Sequence, residues 1–81
     1  MSNQRAFTYL KSEIRRLARR NGTVSAVDVR NVMRTHFNGI SRGAWVTNAF
    51  RELLSEGFLV RTSETVLNPD NRHNVSVYKI A

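Results

Sequence analysis

Between Ile40 and Arg61, the side chains of Arg42, Thr47, Asn48 and Arg51 are those suited to the edges of nucleic-acid bases. A guanidinium is a planar fork of donors, and a side-chain amide both donates and accepts. Such groups match phosphate oxygens and the paired acceptors of a base edge. Gly43 and Ala44 sit among them and leave room for close backbone approach. Ser41 can cap a helix here, and the amides of a first helical turn favour an anion. Elsewhere the hydroxyl and carboxylate residues form no nucleophile–base set, and the glycines spell no phosphate-cradling loop. His36 and His73 lie far apart in sequence without companion ligands. The chain therefore reads as a non-enzyme with no metal, cofactor or small-molecule substrate.

The element that must position these residues is a helix running from about 42 to 56. At about 100° per residue, Val46, Ala49, Phe50 and Leu53 share one face, with Leu54 at its edge. Ala44, Thr47, Asn48, Arg51 and Ser55 lie opposite. Gly57 stops the helix, and Phe58-Leu59-Val60 begins a strand. Upstream, Phe7, Leu10, Ile14, Leu17 and Ala18 predict a helix over 6–20 that Asn21-Gly22 ends. Lys11, Arg15, Arg16, Arg19 and Arg20 are expected to cover its outer face, offset only by Glu13.

Thr23-Val24 leaves room for one brief strand. Ser25 with Asp28 resembles a capping box, and it opens a helix over about 26–36 with Val29, Val32, Met33 and Phe37 inward. Arg30 and Arg34 stand outward, and Asn38-Gly39 is a turn signal. Residues 58–67 and 75–80 predict an antiparallel hairpin with a polar tip at 68–74. Which face of its second strand is inward stays open between Val75/Val77 and Tyr78/Ile80.

The chain has 81 residues and no cysteine, with a formal charge of +7 and 41% apolar residues. That length predicts one domain over 1–81, with a core from about 6 to 80. It also predicts a modest interior rather than a deep cleft. Arginine makes up eleven of the thirteen basic residues, a balance that favours polyanionic partners. No stretch approaches the length of a membrane span and no signal-peptide core is visible, so the expected location is intracellular, in cytoplasm or nucleoid.

The order helix, short strand, helix, turn, helix, two-strand hairpin resembles the winged helix-turn-helix family. The closest match is carried by Ser41, Val46, Phe50, Leu53, Gly57 and Phe58-Leu59-Val60. The resemblance implies an α+β fold of three helices, a short strand and a C-terminal two-strand wing. It also implies sequence-specific binding of double-stranded DNA by a small transcriptional regulator. On that resemblance Arg42, Gly43, Ala44, Thr47, Asn48 and Arg51 face the major groove, and Ser41 with the first-turn amides holds a phosphate. Asn71, Arg72, His73 and Asn74 carry the wing to adjacent backbone or minor groove, and Arg16, Arg20, Arg30 and Arg34 are candidate phosphate contacts. Trp45 departs from the pattern and is expected to be half-buried, against the wing or another subunit. The alternatives are a protein-interaction module and an RNA-binding or ribosome-associated protein. A weak homodimer or another protein partner stays open, and no membrane partner is expected.

Overall fold

In a computed structural model of the chain, residues 3–36, 43–69 and 71–81 are described, with side-chain surroundings given for these except Asn3, Gln4, Asn31, Met33–His36, Gly43 and Ala44. The elements run α1 (Asn3–Asn21), β1 (Thr23–Val24), α2 (Ala26–His36), α3 (Gly43–Ser55), β2 (Leu59–Leu67) and β3 (Asn74–Ile80). The fold is a small α+β arrangement of helices with one three-stranded antiparallel sheet, ordered β1-β3-β2. Among the described residues no helix is long and apolar enough to cross a membrane.

Local chemistry sets the element ends. Gly22 at φ 83° donates its N–H to the Ala18 carbonyl at 2.8 Å and stops α1 in a left-handed turn. Ser25 caps α2 reciprocally with Asp28. The Ser25 Oγ accepts the Val27 N–H at 3.2 Å, and the Ser25 N–H donates to Asp28 Oδ2 at 2.7 Å. Gly57 closes α3 at φ 79°. Its N–H reaches the Leu54 carbonyl at 3.1 Å, and the Phe58 N–H reaches Leu53 at 3.0 Å. That pair of bonds is a Schellman closure, which satisfies the last carbonyls and turns the chain straight into β2. The turn expected at Asn38-Gly39, the Ser41 cap and the inward Phe37 lie outside the described residues; so do the side-chain surroundings of Met33.

The periodic apolar residues meet in one core. Ala6, Leu10, Ile14 and Ala18 of α1 pack with Val24, Val29, Ala49, Phe50, Leu53 and Leu59, all nearly inaccessible. Phe7 and Leu17 flank this core rather than fill it, because they lie at the edges of the α1 stripe. The open question about β3 has no one-sided answer: Tyr78 is partly buried and stacks on Phe50 with centroids 5.0 Å apart, while Ile80 of the same face is exposed. Val77 is buried as well, outside that central cluster. β1 pairs Thr23 with Lys79 and Val24 with Tyr78, which ties the segment after α1 to the middle strand.

The hairpin is bent. Arg61 pairs with Tyr78 and Thr65 with Ser76, so three residues of β2 oppose a single residue of β3. The Thr62 Oγ1 donates to the Val77 carbonyl at 2.8 Å and accepts the Glu64 N–H at 3.1 Å, which holds the irregularity. Such a bulge re-aims the outer half of a hairpin.

Candidate nucleic-acid interface

The two flanks of α3 face different neighbours. On one flank, Val46, Thr47, Phe50, Arg51 and Leu54 form a wall of an open cleft of about 300 Å³. The opposite wall is Arg61, Val75, Ser76 and Tyr78 of the hairpin, with Ala26 of α2 at the end. The floor is the stacked Phe50–Tyr78 pair. Among the described residues no carboxylate lines this cleft. Arg51 and Arg61 are exposed at its rim, and the Arg61 guanidinium lies 6.0 Å over the Tyr78 ring. That cation–π contact orients the fork without neutralising it. Thr47 and Asn48 are exposed beside Arg51.

Across the helix, Glu52 and Glu56 point to α1. Lys11 Nζ meets Glu52 Oε1 at 3.0 Å and also bonds Glu56, while Arg15 Nη2 reaches Glu56 at 3.2 Å. The Lys11 bond holds the Glu56 carboxyl below the usual glutamate range, with Arg15 adding to the effect. The Lys11 ammonium is raised in turn, chiefly by its bond to Glu56. Here the expectation for α1 is corrected. Lys11 and Arg15 are not on a solvated outer face offset by Glu13 alone, because two carboxylates from the end of α3 consume their charge. Complementary spacing is the physical reason: Lys11 and Arg15 are four apart on one helix, and Glu52 and Glu56 four apart on the other segment.

Trp45 shares the Glu52/Glu56 flank by helical spacing and is partly buried against the core, away from the hairpin cleft. This position gives no support to packing against the hairpin.

The hairpin tip is internally bonded. The Arg72 N–H donates to the Asn68 carbonyl at 2.8 Å, and the Asn68 N–H donates to the His73 carbonyl at 2.9 Å. The Asn71 side chain accepts the His73 N–H at 3.0 Å. Arg72 is left-handed at φ 59°, a conformation uncommon outside glycine, and its side chain is exposed. Asn71 and His73 are exposed beside it, while Asn74 opens β3 opposite Leu67.

Of the residues expected to face a ligand, Thr47, Asn48 and Arg51 come together on α3, and Asn71 to Asn74 gather at the tip. Gly43 and Ala44 form the first turn of α3, with surroundings not described. Ser41 and Arg42 lie outside the described residues. Arg16 and Arg20 are exposed on α1 and take no part in lining the cleft, and Arg16 Nε bonds Glu13 at 2.6 Å. Arg30 is half-exposed on α2, and the Arg34 side chain is not described. Arg61 and Ser76 line the cleft without having been expected there. Their available signal was register: Arg61 is the first cation after the Gly57 turn, and it lands opposite the aromatic residue of β3. Comparison with protein-family models, with curated proteins and with solved structures returned no match.

Proposed function

We propose that this chain is a winged helix-turn-helix protein that binds double-stranded DNA in a sequence-dependent way and acts as a small transcriptional regulator. In this reading α3 enters the major groove and the β2–β3 hairpin is the wing, resting on adjacent backbone or minor groove. The observation that carries it is the asymmetry of α3. Its crest and hairpin flank expose Thr47, Asn48 and Arg51 and face Arg61 across a cleft lined, among the described residues, without carboxylates. Arginine can grip guanine O6 and N7 bidentately, asparagine can do so for adenine, and a groove about 12 Å wide admits a helix. Arg61 and Arg72 suit phosphates, which fix position without reading sequence. In the same reading Arg42 joins the residues that read the groove, and Ser41 with the first-turn amides would hold a phosphate.

A gel-shift comparison of duplex DNA, structured RNA and a polyanion competitor tests the class of ligand. A binding selection on randomised duplexes then tests specificity. The expected result is duplex preference with a defined motif that Arg51→Ala relaxes. Binding to RNA without sequence dependence, or no binding at low salt, would overturn the reading.

A further inference from the structure

The solvent face of α1 is not absorbed by the α3 cleft. Arg5, Thr8, Ser12, Arg16 and Arg19 recur at spacings of three and four, and all are exposed, as is Arg20 beside them. This row spans about 21 Å at 1.5 Å per residue. Its composition is arginine and hydroxyl, the two side-chain types that most readily bond phosphate oxygens. Glu13 is the one carboxylate on α1. It is half-buried and accepts from the Tyr9 hydroxyl and from Arg16 Nε, a bond that uses one of the five donors of an otherwise exposed guanidinium. Arg19 lies 5.3 Å over the Phe58 ring, which orients it and leaves its charge intact.

A carboxylate seam separates this row from the cleft. Glu52 and Glu56, with side chains 52% and 43% exposed, stand on the α3 flank that faces α1. Lys11 and Arg15 hold them there and are themselves spent in doing so. A phosphate strand running from Arg51 toward Arg16 would have to cross those carboxylates, which a polyanion avoids. Among the described residues, this seam stands between the α1 row and the cleft on the side where α1 meets α3.

We infer that the outer face of α1 is a second binding surface for the backbone of duplex DNA, so that one chain bridges two duplex segments. The inference rests on the proposed DNA-binding reading of α3. The occupant is a sugar-phosphate backbone because the row offers charge and hydroxyls but no apolar anchor. Binding there is insensitive to sequence, in contrast to α3.

The test uses the full chain with two short duplexes, one carrying a donor dye and one an acceptor. Energy transfer reports bridging, anisotropy of a single duplex reports ordinary binding, and light scattering gives the protein count per complex. Wild type is expected to bring the duplexes together with one chain per pair. The variant Arg16→Gln/Arg19→Gln/Arg20→Gln is expected to bind a single duplex within about threefold of wild type, the remainder being long-range charge. Its energy transfer should fall at least about tenfold, as expected when three phosphate contacts are removed. Single-duplex binding by wild type without energy transfer overturns the inference and leaves the α3 reading standing. So does bridging by paired chains that the triple variant retains. Loss of single-duplex binding in the triple variant would place α1 in the same site as α3 and also overturn it. Failure of wild type to bind any duplex removes the proposed function itself.

Discussion

The two flanks of α3 are built from one 13-residue helix and end in opposite states. On the α1 side, Glu52 and Glu56 are locked to Lys11 and Arg15, and the interaction is internal to the fold. On the hairpin side, Arg51 and Arg61 face each other across an open cleft with no carboxylate among its described lining residues. Charges that meet opposite charges during folding serve to orient helices. Arg51 and Arg61 meet no carboxylate in the cleft lining, and Arg61 rests on the Tyr78 ring instead. Pairing within the fold, rather than the number of cations, decides which of them keep their charge available at the surface.

The largest effect is expected from removing what both flanks stand on. Phe50 is 5% exposed and stacks on Tyr78, so it belongs to the core and to the cleft floor. Phe50→Ala should cost about 3–5 kcal/mol, a large share of the stability of a domain this size. Denaturant unfolding measures it. A loss below about 1 kcal/mol would mean that the floor is not packed as described.

Arg51→Ala strikes only the hairpin flank. It should relax the preference at one or two base pairs by about 1–3 kcal/mol, and as a surface change it should shift unfolding by less than about 0.5 kcal/mol. Selection on randomised duplexes and a thermal melt read the two sides. In salt titrations wild type should show a slope of log K against log salt of about −4 to −5, and Arg51→Ala/Arg61→Ala a shallower one by about one unit, from the phosphate contact of Arg61. A flat wild-type dependence would sink the electrostatic account of the cleft.

The tip is expected to matter less. Arg72→Ala/His73→Ala should weaken binding to every duplex alike while the fold persists, because exposed tip residues add contacts but read no bases. Unchanged affinity on all sequences would remove the tip from the interface.

The smallest effect is predicted on the α1 flank, where Glu56→Gln should raise DNA affinity by no more than about threefold, as one long-range charge does. Its signature lies in pH dependence. The Glu56 carboxyl is depressed in the folded chain by Lys11 and Arg15. Its stabilisation is therefore complete above the ordinary glutamate value of 4.5 and is lost as pH falls below that toward the depressed folded value. Thermal melts of Glu56→Gln between neutral pH and pH 3 should fall less steeply than those of wild type. Parallel curves would show that the seam contributes nothing on acidification.

Much of the fold is legible in the residue pattern. The apolar rows in α1 and α3 predict their own burial, since an apolar face in water must find another apolar face. Ser25 with Asp28, Gly22 and Gly57 mark element ends because capping and left-handed backbone are local requirements. Thr47, Asn48 and Arg51 fall on one exposed side from spacing alone. The inward face of β3 does not follow in that way, since Val77 and Tyr78 differ by one residue and a bulge between Arg61 and Thr65 upsets the simple alternation.

The order and kind of the elements, the apolar stripes, the excess of arginine and the residue types on the crest of α3 all follow from the amino-acid order. Which cations are spent does not; that depends on packing. Lys11 and Arg15 are as basic in sequence as Arg16 and Arg20, yet α1 lies against α3 with Glu52 and Glu56 bonded to the first pair. Arg61 likewise became part of the cleft through the register of β2 on β3, which sets it over Tyr78. Periodicity is a property of neighbours along the chain. Charge pairing across about forty residues depends on how helices pack, and that is settled when the core closes.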